Sequence, residues 1–284
     1  MAKQSIAAVI GLIVIGNAVS SVSAQSLDEI KKIPLQYAKP TAAISVVKDS
    51  AYREAPILRF DEYRPAGVKG KLPAIILVHG DAEPDVLRDI KDWSIYVSYG
   101  RLLASRGFAA IIFNHRSSED FSKLHDAAAD VESMMKYIQA HAEALGIDEG
   151  KLSVWAFSAG GAYLAPMFRA PPRGIRCFLA FYAVMGVPDT TVSPELREEF
   201  SPAAALPQNF GVPIFVARAG RDDPSFNKLN DTFLAKAIEK NAAIQIVNYP
   251  SGQHAFDMLD DAPETRRVIT EALDFLKANT ADPP

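Results

Sequence analysis

A mostly parallel β-sheet with helices on both faces is the fold class this sequence predicts, and three observations predict it. First, residues 73–78, 108–113 and 213–217 are short, nearly continuous apolar runs, the composition of strands buried on both sides. Second, stretches with helical spacing separate these runs. The strongest is 130–145, where Val131, Met134, Met135, Ile138 and Leu145 recur on one side. Third, residues 152–161, LSVWAFSAGG, read as a strand, a serine wedged between small residues, and the start of a helix.

The elements follow in order. Residues 1–24 have the pattern of a secretory signal peptide, with Lys3 as a positive start, an apolar core from Ile6 to Ile15, and Val22 and Ala24 as the small side chains before a cleavage site. The apolar core is shorter than the about 20 residues a spanning helix needs. The expectation is cleavage after Ala24, a periplasmic or secreted domain over 25–284, and no stable membrane insertion. Residues 27–55 are mixed and are expected to wrap a sheet edge, with a possible strand at 44–47. Partial alternation marks a strand over 57–64, stopped by Pro65 and Gly67. The run 73–78 ends at His79, Gly80 and Asp81, where the chain must turn.

A helix is expected over 96–106, ended by Gly107, and then the strand 108–113. His115 follows that strand and is a candidate either to line a site or to serve as a hydrogen-bonded loop residue. His125 and His141 fall in the helical region that comes next and read as solvated. Strand 152–157 leads through Ser158 into a helix over 159–168, before Pro171 and Pro172. Residues 177–183 form another strand. Residues 184–210 then break the rhythm with Pro188, Pro194, Pro202 and Pro207, and are either a small cap insertion over the site or a surface loop. Strand 213–217, a helix carrying Leu229, Phe233 and Ala237, strand 243–249 and a loop over 250–256 follow. The last helix opens near 261–264 with proline in its first turn and runs through Leu276 to a tail expected to fray.

The 284 residues are 49% hydrophobic and 23% charged, enough apolar material for a large core. A net charge of −4 gives no electrostatic case for nucleic acid or for an anionic membrane surface. Cys177 is the only cysteine, so no internal disulfide forms, and its apolar neighbours mark it as a buried core residue. The five histidines show no H-E-x-x-H spacing, so neither a metal nor an organic cofactor is expected.

The chemistry gathers at strand ends. Ser158 on a tight strand-to-helix turn has the layout of a nucleophile elbow, although Ala156 stands where glycine is usual. An acid, Asp222, and a histidine, His254, follow in that chain order. Asp223 is the rival acid, but it precedes Pro224 and suits the opening of a helix. The N–H groups of Ala159 and of Asp81, with Ala82 as the alternative to Asp81, are the expected oxyanion donors. His79 precedes the serine and reads as structural.

With these pieces in place the chain resembles the α/β-hydrolase superfamily, in its serine esterase/lipase and dienelactone-hydrolase-like branch. The resemblance rests on VHG at 78–80, FSAGG at 157–161, RAGRD at 218–222 and YPSGQHAF at 249–256, which together span nearly the whole mature chain. It implies Ser158 as nucleophile, Asp222 as acid and His254 as base, acting on a small-molecule carboxylic ester. Dienelactone hydrolases proper carry a cysteine nucleophile, so lactone specificity does not follow. The other readings are a non-catalytic binding protein on the same scaffold and a prolyl-oligopeptidase-type peptidase, although nothing resembles the latter's propeller domain.

Overall fold

The computed structural model describes residues 27–188 and 192–281, so the expected signal peptide lies outside the described residues. The described residues build an eight-stranded sheet in the order β1-β2-β4-β3-β5-β6-β7-β8. The strands are β1 (Ile44–Glu54), β2 (Ile57–Pro65), β3 (Leu72–Val78), β4 (Ala109–Phe113), β5 (Ile147–Phe157), β6 (Ile175–Phe181), β7 (Ile214–Ala219) and β8 (Ile244–Tyr249). β1 and β2 form an antiparallel hairpin, and β2 runs antiparallel to β4. From β3 to β8 every pairing is parallel, as the continuous apolar runs require.

The helices are α1 (Leu27–Ile30), α2 (Pro84–Leu87), α3 (Ser94–Ser105), α4 (Leu124–His141), α5 (Leu164–Arg169), α6 (Pro194–Glu199), α7 (Pro202–Ala205), α8 (Pro224–Glu239), α9 (Phe256–Leu259) and α10 (Pro263–Thr280). Alternate strand residues feed two separate cores. Ile76, Val78, Val154, Ala156, Phe178 and Val216 pack on the side of α4, α5 and α8. Ile75, Leu77, Trp155, Phe157, Leu179 and Phe215 pack on the side of α3 and α10. Each large side chain buried this way contributes about 1.5–3 kcal/mol. The fold class is therefore the one expected, a mostly parallel sheet between two helical layers.

Three details differ from the sequence reading. The helix expected over 159–168 is a 3-10 segment, Ser158–Tyr163, followed by the short α5. Tight packing accounts for it, since Gly160 and Gly161 are pressed so closely on the backbone of residues 78–79 and 184 that an added Cβ would meet carbonyl oxygens at 2.7 Å. β5 begins at Ile147 rather than 152, with Ile147 opposite Leu72 and an irregularity in register before Ala74 that absorbs the turn-like Asp148-Glu149-Gly150. The described residues of 184–210 pack into the core and do not line the cavity described below. Val187, Phe200, Leu206 and Phe210 are buried in the core beside α5 and α8, and the Phe210 ring lies 5.4 Å from that of Phe168. Serines 193 and 201 cap α6 and α7, each followed by a proline at the helix start.

The N-terminal part of the chain is a strap. Ile30 and Leu35 are buried, the Lys31 carbonyl accepts the Ser94 N–H at 2.8 Å, and Lys31 Nζ pairs with Asp89 at 2.8 Å. The Gln36 N–H then donates to the Asp257 carbonyl at 2.8 Å, which links the start of α3 to α9. At the other terminus Arg176, at the start of β6, donates to the Asn279 carbonyl at 3.3 Å.

Candidate active site

Ser158 stands at the carboxyl end of β5 with φ +52°, a left-handed conformation that a non-glycine residue adopts only when its surroundings impose it. Phe157 before it is extended at φ −124°. The turn explains why its neighbours are small. An added Cβ on Gly80 would come within 2.7 Å of Ser158 Cβ, and one on Gly160 would meet the His79 carbonyl oxygen. Ala156 causes no conflict. It is an extended strand residue paired with Val78 and Ala180, and its methyl group points into the core on the α4 and α5 side.

His254 joins the serine to one aspartate. Its Nε2 lies 2.8 Å from Ser158 Oγ, and its Nδ1 lies 2.9 and 2.8 Å from the two oxygens of Asp222. Nδ1–H donates to the carboxylate, which leaves Nε2 free to accept from the serine hydroxyl. The three side chains come from the ends of β5, β7 and β8. Gly220 lets the last two loops meet, since a Cβ there would fall 2.4 Å from the Pro250 carbonyl oxygen. The Arg221 N–H donates to the Gly252 carbonyl at 2.9 Å, and the Asp223 N–H donates to Asp222 Oδ1 at 2.8 Å. Asp223 itself caps α8, its carboxylate accepting the Ser225 N–H at 2.7 Å. Of the two aspartates, Asp222 is the one hydrogen-bonded to His254.

The turn after β3 faces the serine. Ala159 lies in the first turn of the 3-10 segment, where N–H groups have no intrahelical acceptor. The Asp81 carboxylate turns away and accepts from the Ser117 hydroxyl at 2.9 Å and the Ser118 N–H at 3.0 Å, which orients the backbone at 80–82. His79 and His115 stack behind this turn, ring centroids 3.5 Å apart and 6° from parallel. The His115 N–H donates to His79 Nε2 at 3.2 Å, so His79 carries its proton on Nδ1 and donates to the Gly80 carbonyl at 2.6 Å. Burial holds both histidines below the usual imidazole range, and the neighbouring His115 lowers His79 further. Neither ring is hydrogen-bonded to Ser158. His125 is exposed beside Glu199, and His141 stacks on Tyr137, away from this cluster.

Beside Ser158 and His254 lies a cavity of about 70 Å³. Its walls are Leu87, Ile90, Trp93, Ile95, Tyr96 and Tyr99 on one side and Phe157, Tyr182, Ala255 and Met258 on the other. The first group belongs to α2, the 3-10 turn Ile90–Asp92 and the start of α3, and of these only Tyr96 and Tyr99 fall in a stretch with a periodic signal in the sequence. Lys91 pins that turn from beneath. Burial alone would lower its pKa, but hydrogen bonds to Asp49, Asp92 and Asp61 raise it above the usual lysine value. No described residue of 184–210 lines the cavity, so the part assigned to a cap falls to residues 82–99. The sequence reading also missed Asp257, a fully buried acid that accepts from the Tyr99 and Tyr182 hydroxyls at 2.6 and 2.8 Å.

The sheet order, the serine on its left-handed turn and the chain order of serine, aspartate and histidine make this an α/β-hydrolase-fold protein. The family model BD-FAE matches residues 60–170, a span that holds Ser158 but neither Asp222 nor His254. Several solved structures similar to the chain are esterases. A truncated carbohydrate esterase from gut microbiota is 16% identical with a TM-score of 0.69, over 87% of this chain and 99% of that one. A variant of the esterase rPPE is 17% identical with a TM-score of 0.70, over 90% of this chain and 89% of that one. The butyrate-bound Est2 esterase of the planctomycete Thermogutta terrifontis is 19% identical with a TM-score of 0.63, over 87% and 97%. No curated protein matches the chain.

Proposed function

We propose that this protein is an exported serine hydrolase that cleaves carboxylic esters of small acyl groups through an acyl-enzyme intermediate. The observation that carries the reading is the single imidazole hydrogen-bonded to both Ser158 Oγ and Asp222. Ser158 Oγ attacks the ester carbonyl carbon as His254 Nε2 takes its proton. Asp222 fixes the ring's tautomer and stabilises the imidazolium that forms. The N–H groups of Ala159 and Asp81 receive the oxyanion. His254 returns the proton to the departing alkoxide, and a water activated by the same ring then hydrolyses the acyl-serine. The size and apolar walls of the cavity support a short acyl chain. An apolar cavity that admits benzene is about 150 Å³, roughly twice this one. The similar structures being esterases, one with butyrate bound, points the same way. Export rests on the pattern of residues 1–24.

A fluorophosphonate probe should label the wild type and not Ser158→Ala. Across p-nitrophenyl esters, kcat/KM should peak between acetate and butyrate and fall by about tenfold or more at octanoate, since a pocket discriminates by about 1–3 kcal/mol per misfit methylene. Absence of labelling and of ester turnover would make the protein a non-catalytic binder. Recovery of the protein from the cytoplasm with Met1 intact would remove the export part.

A further inference from the structure

One acid near the site has no part in the chemistry above. Asp257 has no solvent exposure and lies three residues past His254, in α9. Its Oδ2 accepts from the Tyr99 hydroxyl at 2.6 Å, and its Oδ1 accepts from the Tyr182 hydroxyl at 2.8 Å. These two donors come from different elements, Tyr99 from α3 and Tyr182 from the end of β6. The Tyr182 ring stands edge-on to His254, centroids 4.9 Å apart. Tyr182 and Ala255, on either side of the imidazole, both have left-handed backbones, at φ +38° and +56°. Such conformations persist when the surroundings over-determine them. The carboxylate of Asp257 ties together the strand end that holds Tyr182, the helix that walls the cavity, and the loop that carries His254.

We propose that Asp257 is a positioning residue for His254, holding the histidine loop through Tyr99 and Tyr182 and supplying a second negative charge that favours the imidazolium formed during ester cleavage. This rests on the assignment of His254 as the base. A residue needed only for packing at this place would be better apolar, because an ionised carboxylate in a buried site is costly even with two donors. The titratable groups facing Asp257 are Tyr96 and Tyr99 from α3, Tyr182 after β6 and His254 from its own loop. Burial pushes the Asp257 carboxyl up to about 6, against the opposing effect of the two tyrosine hydroxyls. The charge is therefore present at neutral pH and lost in mild acid.

That sign gives the test a signature a structural role lacks. Asp257→Asn keeps the shape and removes the charge. The ratio of wild-type to variant kcat/KM on p-nitrophenyl acetate should be about tenfold at pH 8, the size of one unit of charge-induced pKa shift. It should shrink towards one by about pH 5, where the wild-type carboxyl is itself protonated. The effect should lie in kcat, with KM little changed, and the variant should be no less stable than the wild type at pH 8, since the buried charge is gone. A ratio constant across pH, or no loss at all, overturns the proposal. If Asp257→Asn does not fold, Tyr182→Phe takes its place. Loss of one donor makes the carboxyl harder to ionise, so the acidic fall of kcat/KM should begin at higher pH, and an unmoved fall overturns the idea. To separate this from the parent reading, the His254 ring is followed by NMR in Ser158→Ala, with and without Asp257→Asn. The ring should release its proton at lower pH in the double variant. Equal titrations overturn the positioning role, whereas an unlabelled, inactive wild type overturns only the function assigned above.

Discussion

His254 and His115 invite comparison because each follows a strand at the carboxyl edge of the sheet and each is almost fully buried. Their partners differ in kind. His254 has a carboxylate on one nitrogen and a serine hydroxyl on the other. His115 has carbonyl oxygens on both, Arg116 at 2.9 Å and His79 at 3.2 Å, and a second imidazole stacked on its face. A ring between a carboxylate and a hydroxyl can take up a proton and keep it stabilised. The carbonyls beside His115 would accept from a protonated ring, but burial holds it neutral, and neither contact offers a hydroxyl to deprotonate. Position at the sheet edge gives access to the site; the partner decides what the ring does there.

The sharpest way to break this comparison is to remove each ring. His254→Ala should reduce kcat on a short-chain ester by about 10⁶, the scale of losing one member of a cooperating triad. His115→Ala should keep most activity per folded molecule, with the acidic limb of kcat/KM still present because the base must be neutral to act. Circular dichroism confirms folding in both. An inactive His115→Ala beside an active His254→Ala would transfer the role of base and undo the chain-order argument.

A smaller effect separates the adjacent aspartates. Asp222→Asn should cost about 10⁴ in kcat, because an amide leaves the ring in the wrong tautomer. Asp223→Ala should leave kcat within a few-fold and lower unfolding stability by about 1 kcal/mol, the value of a helix N-cap, read from urea denaturation. The reverse ranking would mean that the carboxylate bonded to His254 is not the one that serves it.

The smallest effect sharpens the His79–His115 side. Both rings are held below the usual imidazole range by burial. A group with a depressed folded pKa stabilises the fold fully above its unfolded value, about 6.5, and that contribution is lost as pH falls towards the folded value. Wild-type stability should therefore decline on acidification below about pH 6.5. His115→Ala should be less stable at pH 8 by about 1–3 kcal/mol and should show a shallower decline. An identical pH slope in the two proteins would remove the pair from the account of acid lability.

Much of this was legible because the signals were local. Apolar runs at β3, β4 and β7 mark parallel strands by composition, and the order of Ser158, Asp222 and His254 needs no geometry to be read. Gly80, Gly160 and Gly220 were visible too, although only the structure shows that backbone or Ser158 lies where a Cβ would go. What escaped was non-local or aperiodic. Asp257 lies 158 residues from Tyr99 and 75 from Tyr182, so nothing near it in the sequence marks it as their acceptor. Leu87 and Ile90 sit in a four-residue helix and a 3-10 turn, too short for a period to show, and Trp93 lies between that turn and α3. In the proline-rich 184–210 the prolines suggest an open excursion, whereas Pro194 and Pro202 start short helices and Phe200 and Leu206, just after them, fill the core.

The N-terminal strap has a practical consequence for handling the protein. The Lys31 carbonyl accepts from Ser94 and the Gln36 N–H donates to the Asp257 carbonyl, which joins the strap to the start of α3 and to α9. A purification tag, fluorophore or resin linker joined just upstream of Leu27 sits next to those two elements, whose Ile95 and Met258 line the cavity. One joined after Thr280 leaves the molecule by the amino-terminal edge of the sheet, where Asn279 is held by Arg176. Immobilised through that end, the protein presents its cavity to the solution.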